Sequence, residues 1–136
     1  MPQNATIALI AAYYRAFNAG DDATFLSLLS DNIRHDINQS PSEHGKAAFT
    51  NFIAAMKHSY AEHLTDITIL ASEDGTSAAA EYVVHGKYLA PAPGLPEAKG
   101  QSYVLPGGAF FSIEHNKITR VTNYYNLEDW LAQVRG

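Results

Sequence analysis

The sequence predicts an α+β fold, and three observations support that prediction. Residues 1–61 carry apolar side chains mostly at helical spacing, interrupted by one short strand pattern at residues 33–38. Residues 64–125 have the composition of strands separated by turn residues. A final helical pattern covers residues 127–134. Early helices followed by long strands are typical of α+β folds, whereas α/β folds alternate the two.

The first two helices are predicted within residues 1–30. In the first helix, apolar side chains recur every three or four residues, at Ile7, Ile10, Tyr14 and Phe17. This helix is expected to end at Gly20, because glycine adopts the left-handed conformation without strain. Asp21 or Asp22 then caps a short second helix, since either carboxylate can accept a backbone N–H bond from the first turn.

A third helix is predicted over residues 45–61, directly after the short strand. Its apolar side chains form one stripe, made of Phe49, Phe52, Ile53, Met56 and Tyr60. Side chains alternate in the preceding strand, so Asp36 and Asn38 point to one side and His35 to the other.

Four long strands complete the predicted sheet, at residues 64–72, 76–89, 101–114 and 117–125. Asp74-Gly75 is a strong hairpin signal, and the proline-rich residues 90–100 indicate a loop. Pro106-Gly107-Gly108 interrupts the third long strand and predicts a bulge. We expect the four strands to be antiparallel neighbours that curl around the third helix and leave a cone with an open end.

The composition argues against several classes of partner. A net charge of −5 with neutral histidines offers no basic surface for nucleic acid or for an anionic membrane. The absence of cysteine excludes disulfides and thiolate sites. The chain has neither a secretory signal pattern nor an apolar run of the roughly 18 residues that would span a bilayer. A cytoplasmic protein with one domain over residues 1–136 is therefore expected.

Three segments carry a resemblance to a known superfamily, at residues 17–21, 36–45 and 121–127. Together with the order of elements, they resemble the NTF2-like superfamily, which includes ketosteroid isomerases, polyketide cyclases of the SnoaL type and scytalone dehydratase. The resemblance implies a cone-shaped, cystatin-like fold. In this fold a curved sheet of four to five mostly antiparallel strands wraps around three N-terminal helices, with a short helix at the C-terminus.

The resemblance to ketosteroid isomerases also implies roles for individual residues. Asp36 falls on their catalytic base, and Tyr13 or Tyr14 on the tyrosine that donates to the oxyanion. The second oxyanion donor of those enzymes is an acid on the third long strand, where this chain has only Gly107, Gly108 and Ala109. Steroid isomerisation itself is therefore not expected, although a cavity with other chemistry is.

The resemblance to ketosteroid isomerases also predicts which strand residues face the cavity. It places Ala79, Glu81, Val83 and His85 inward on the second long strand, with His85 and Glu81 as an accessory acid–base pair. The residues implied for substrate binding are Asn38, Phe17, Val83, Phe111, Asn123 and Tyr125. His35 would lie outside. From the residues alone, Asp36 could equally be a solvated carboxylate, and Glu81 and His85 an exposed ion pair.

The expected reaction is proton abstraction next to a carbonyl on a small hydrophobic ligand, leading to isomerisation, aldol cyclisation or dehydration. No cofactor is required, and no metal site is expected. The alternative is a non-catalytic module that binds a ligand or dimerises. For a homodimer, we expect the outer sheet face to present Tyr82, Val84 and Tyr88.

Overall fold

A computed structural model describes residues 2–37 and 40–135 of the chain. Asn38, one of the predicted substrate-binding residues, lies outside the described residues. The elements in chain order are α1 (Pro2–Ala19), α2 (Asp22–Ser27), β1 (Leu29–Ile37), β2 (Glu43–His44), α3 (Lys46–Ser59), β3 (Tyr60–Ala71), β4 (Ser77–Tyr88), β5 (Gln101–Glu114), β6 (Lys117–Tyr125) and α4 (Leu127–Arg135). The predicted α+β class is confirmed, with β2 as an additional short strand.

The strands form one curved, unclosed sheet with the order β2-β1-β6-β5-β4-β3. Strands β3 to β6 pair with their neighbours in an antiparallel manner, as expected. Strand β1 pairs with β6 in parallel, which brings the short early strand beside the last one. Among the described residues, no helix is both long and apolar enough to cross a membrane.

Helix α1 packs its apolar side against the sheet and is fixed at both ends. Ile10 and Tyr14 are buried, as the helical spacing predicted. Gly20 ends the helix with a φ of 70°, and the Asp21 side chain caps α2 by accepting a bond from the Thr24 N–H at 3.2 Å. The Asn18 amide makes two bonds of 2.9 Å with the backbone of Leu64, which ties α1 to β3.

Helix α3 ends at Ser59, two residues earlier than predicted. Tyr60 is already extended, and it begins β3 by pairing with Tyr88 on β4. The Ser59 carbonyl accepts a bond of 2.7 Å from the Leu89 N–H, so the strand pairing competes successfully with another helical turn. The first residues of β3 therefore belong to the sheet, and Glu62 lies on it.

Strand β4 has the opposite orientation to the one predicted. Tyr82, Val84 and Tyr88 are buried, whereas Glu81 and His85 are exposed on the outer face. Ala79 and Val83 share that outer parity and are only partly buried. The physical reason is that the reverse orientation would bury two ionisable groups and expose two tyrosines.

This correction also removes the surface expected for a homodimer, because Tyr82, Val84 and Tyr88 point into the core. The outer face instead carries Phe110 and Tyr124, which are 47% and 51% exposed. Their rings lie 5.8 Å apart on neighbouring strands. Homodimerisation itself stays a prediction.

Strand β5 runs through Pro106-Gly107-Gly108 without the predicted bulge. The pairing of β4 with β5 is continuous from Ser77 opposite Ser112 to Tyr88 opposite Gln101. A bulge does occur in β3, where the pairing shifts between Thr65 and Thr68 and Asp66 has a φ of 54°. Two outward residues thus separate the inward Leu64 from the inward Ile67.

Candidate functional site

A cavity of about 540 Å³ lies between the inner face of the sheet, helices α1 and α3, and the loop of residues 90–100. Most of its wall is aromatic or aliphatic, with Phe25, Phe49, Phe52, Leu64, Leu105 and Trp130 among the lining residues. Six of its lining residues are exposed, and they are Ser40, Ala55, His58, Pro91, Pro93 and Tyr124. A few polar side chains interrupt the apolar wall, as in many small-molecule sites.

Helix α1 contributes Tyr13, Tyr14 and Phe17 to the cavity wall, so both candidate tyrosines line it. The Tyr13 ring packs against Phe25 at 4.4 Å and against Phe111 at 5.5 Å between centroids. The buried Tyr14 hydroxyl has no hydrogen-bond partner among the described residues. Burial, with smaller contributions from neighbouring tyrosines, raises the pKa of Tyr14 well above its usual value. Tyr14 is therefore a neutral donor at physiological pH.

His35 lies in the cavity wall, so the prediction that it lies outside is wrong. It is 2% exposed, and its ring stacks on Phe49 at 4.2 Å and meets Phe52 edge-on at 4.6 Å. The amide nitrogen of Asn123 lies 3.2 Å from His35 Nε2. Because that amide donates, Nε2 accepts and the neutral ring carries its proton on Nδ1. Nδ1 is buried and has no partner among the described residues.

Burial lowers the pKa of His35 to about 4, although the nearby Asp36 opposes this shift. The imidazole is therefore uncharged at neutral pH. It carries a buried N–H donor on Nδ1 without bringing a positive charge into the cavity wall.

Asp36 does not line the cavity, which contradicts the predicted inward orientation. Its side chain is 18% exposed and accepts bonds from Arg34 at 3.0 Å, from Thr122 at 2.7 Å, and from Ser42. Partial burial raises the pKa of Asp36, but the three hydrogen bonds and the Arg34 charge together lower it to about 2. Asp36 is thus neither a cavity base nor a freely solvated carboxylate. It ties β1 to β6 and to the segment around Ser42.

We expect the substitution Asp36→Asn to lower the free energy of unfolding by about 2 kcal/mol at pH 7. The folded pKa of about 2 lies below the ordinary aspartate pKa of 3.8, so this stability is present above pH 3.8 and is lost as the pH falls toward 2. Urea denaturation at pH 7 and at pH 2 measures both effects. Equal stability of the variant and the natural protein at pH 7 would contradict this account.

Glu62 is the cavity carboxyl that the sequence analysis missed. It lines the cavity from β3, and the Tyr103 hydroxyl donates a bond of 2.5 Å to its Oε2. Burial raises the pKa of Glu62, and the Tyr103 bond only partly offsets this effect. Among the described residues, no cationic side chain forms an ion pair with it. A desolvated carboxylate without a counter-cation has a high affinity for a proton.

Two rows of cross-strand neighbours build the wall around Glu62. In one row, Glu62 pairs with Gly86 on β4, which pairs with Tyr103 on β5. In the other, Tyr82 on β4 pairs with Gly107 on β5, which pairs with Tyr125 on β6. Each row has a glycine in the middle. A Cβ added at Gly107 would lie 2.6 Å from the Tyr82 ring, so this ring lies across the glycine.

The remaining predicted site residues divide into two groups. Asn123 and Tyr125 line the cavity, and Phe111 is buried behind Tyr13 and Tyr14. Glu81, Val83 and His85 do not line it, and His85 instead contacts the Thr65 hydroxyl at 2.9 Å. Within residues 2–37 and 40–135, no three His, Asp or Glu side chains converge as metal ligands would.

Comparison with known proteins finds close similarity over the whole fold. A sequence profile of the SnoaL-like domain matches residues 10–121. A solved structure from Pseudomonas putida KT2440 is 56% identical, has a TM-score of 0.94, and covers 95% of this chain and 97% of its own. One from Xanthomonas campestris pv. campestris is 51% identical, also with a TM-score of 0.94, and covers 98% of each chain. Both are described as candidate polyketide cyclases.

A more distant structure extends the comparison of the fold alone. An NTF2-like protein from Burkholderia xenovorans LB400 is 12% identical, has a TM-score of 0.78, and covers 98% of each chain. No curated protein matches the sequence.

Proposed function

Because the chain belongs to the SnoaL-like domain family and has the NTF2-like fold, we propose that its cavity binds a small hydrophobic carbonyl compound and deprotonates the carbon next to the carbonyl. One observation carries the proposal. Two residues of the cavity wall, Tyr14 and His35, each carry a buried polar atom, Tyr14 Oη and His35 Nδ1, that has no partner among the described residues. An unsatisfied buried donor is costly, and a ligand oxygen would satisfy it.

Glu62 is the proposed general base. Its proton affinity is increased by burial, and it lies in an apolar wall, where a carboxylate is a stronger base than in water. In the proposed step the C–H bond breaks and its proton passes to a Glu62 carboxylate oxygen. The electron pair forms a carbon–carbon double bond, and the carbonyl oxygen becomes an enolate oxygen.

Tyr14 is the proposed donor to that enolate oxygen, with His35 as a second donor. Both are uncharged at neutral pH, since burial raises the pKa of Tyr14 and lowers the pKa of His35. A fixed donor in a site without water stabilises a developing oxyanion more than a solvated one does. No cofactor takes part in this step.

The outcome of the enolate depends on the ligand. Return of the proton to another carbon is isomerisation, attack on a second carbonyl is aldol cyclisation, and loss of a hydroxyl group is dehydration. The two relatives described as candidate polyketide cyclases favour cyclisation. A cavity of about 540 Å³ is within the usual size range for small organic ligands.

The proposal is tested by hydrogen exchange in heavy water, which does not require the natural substrate. We expect the protein to accelerate deuterium incorporation next to the carbonyl of α-tetralone or benzoylacetone. Proton NMR monitors this incorporation as the loss of the corresponding proton signal. Heat-denatured protein is the control. Ligand-induced chemical shift changes without any exchange would favour the non-catalytic binding module. If a wider set of hydrophobic ketones shows no binding and no exchange, the proposal is overturned.

A further inference from the structure

Gly86 occupies the middle of the row that contains Glu62 and Tyr103. Neighbouring strands lie about 4.8 Å apart, so residues on β3 and β5 are about 10 Å apart across β4. Glu62 and Tyr103 nevertheless make a hydrogen bond of 2.5 Å. The bond forms because the Tyr103 side chain lies flat across β4.

Only a residue without a side chain leaves room for that ring. A Cβ placed on Gly86 would lie 2.3 Å from Tyr103 Cζ, 2.4 Å from Cε2 and 2.5 Å from the hydroxyl oxygen. These distances are far below van der Waals contact, so the ring would have to move. The ring is also held from the helix side, because Trp130 meets it edge-on at 5.9 Å.

We propose that Gly86 and Tyr103 are positioning residues for Glu62: the missing side chain at Gly86 lets the Tyr103 hydroxyl cross β4 and hold the carboxylate at the cavity wall. This inference rests on the proposed role of Glu62 and adds to it. Neither residue exchanges a proton with the ligand. Tyr103 fixes which carboxylate oxygen is engaged, and the other oxygen, Oε1, is left for the ligand.

The inference predicts a measurable change at Glu62 itself. A hydrogen bond to the charged form of a carboxyl favours that form, so the Tyr103→Phe substitution should raise the pKa of Glu62 by about one to two units. The measurement is a carbon-13 NMR titration of protein with labelled glutamate. The Glu62→Gln variant assigns the signal, and Tyr60→Phe is the control because Tyr60 lines the same cavity without a hydrogen bond to Glu62 among the described residues.

The Gly86→Ala substitution should produce the same upward shift, because the new methyl group displaces the Tyr103 ring. The double variant Gly86→Ala/Tyr103→Phe should shift the pKa by no more than either single variant, since both act through one bond. If Gly86→Ala prevents folding, we expect Gly86→Ala/Tyr103→Leu to fold, because the smaller side chain leaves room for the methyl.

Three results would overturn the inference. These are an unchanged pKa in Tyr103→Phe, an unchanged pKa in a folded Gly86→Ala, or failure of Gly86→Ala/Tyr103→Leu to fold. The titration needs no turnover, so it is separate from the proposed function. If the Glu62 pKa shifts in Tyr103→Phe but the natural protein catalyses no exchange, the positioning role holds and the proposed function is rejected. If the natural protein catalyses exchange but the Glu62 pKa does not shift in Tyr103→Phe, the positioning role is rejected and the proposed function holds.

Discussion

The Glu62→Gln substitution should reduce the rate of deuterium exchange into a bound ketone by about 100-fold to 10,000-fold. Glutamine has nearly the same shape and can still accept a bond from Tyr103, but it cannot take up the proton. The affinity for the ketone should change little, because the proposed contacts to its oxygen come from Tyr14 and His35. Exchange rates and binding shifts measured by NMR on the same samples separate the two effects.

Glu81→Gln is the matched control for this experiment. The resemblance to ketosteroid isomerases predicts Glu81 in the cavity, whereas in the structure Glu81 is exposed on the outer face of β4. The control should exchange deuterium at the rate of the natural protein. A large loss in Glu81→Gln with none in Glu62→Gln would reject Glu62 as the base.

Acid should destabilise the protein through His35 before Asp36 begins to titrate. The pKa of His35 is about 4 in the folded protein, whereas the ordinary histidine pKa, which applies to the unfolded chain, is 6.5. Between these values the unfolded chain binds more protons than the folded one, so stability is full above pH 6.5 and falls as the pH decreases. The expected loss at pH 4 is about 3 kcal/mol.

The difference between the natural protein and His35→Gln isolates this effect. Glu62 acts in the opposite direction, because its raised pKa lets the folded protein bind the extra proton. That contribution is common to both proteins and cancels in the difference. Urea denaturation between pH 7 and pH 4 should show a steeper loss for the natural protein. Parallel pH profiles would mean that His35 is not held neutral by burial.

The helical part of the fold was predictable because one face of each helix is apolar. Ile10 and Tyr14 on α1 and Phe49 on α3 are buried as the spacing indicated. The same regularity placed Tyr13, Tyr14 and Phe17 in the cavity wall. These positions follow from local periodicity and need no knowledge of the sheet.

The strand faces were less predictable, because their parity depends on partners far away in the chain. On β4, apolar residues occupy both parities, so alternation alone did not decide between Glu81 and Tyr82. The fit of Tyr82 across Gly107 on the next strand decides it. On β1, the isoleucines at positions 33 and 37 share the parity of His35. That was an available sign that His35, and not Asp36, faces the core.

Glu62 was missed for a different reason. The apolar stripe of α3 extends to Tyr60, so the helical pattern continued across the junction and concealed the start of β3. Only the pairing of Tyr60 with Tyr88 reveals that the strand begins there. A junction between two elements that share an apolar residue cannot be located from periodicity alone.

Because of the bulge at Asp66, deleting this residue and substituting it should have opposite effects on the inner face of β3. A regular strand with this sequence could turn either Leu64 or Ile67 inward but not both, since the two residues are three positions apart and alternation has a period of two. Deleting residue 66 would restore regular alternation with both faces unchanged. Replacing it with valine would instead penalise the positive φ and disfavour the bulge, so that either Leu64 or Ile67 would lose its inward orientation. At this position, losing a residue preserves the inner face of β3, whereas a β-branched residue in its place works against it.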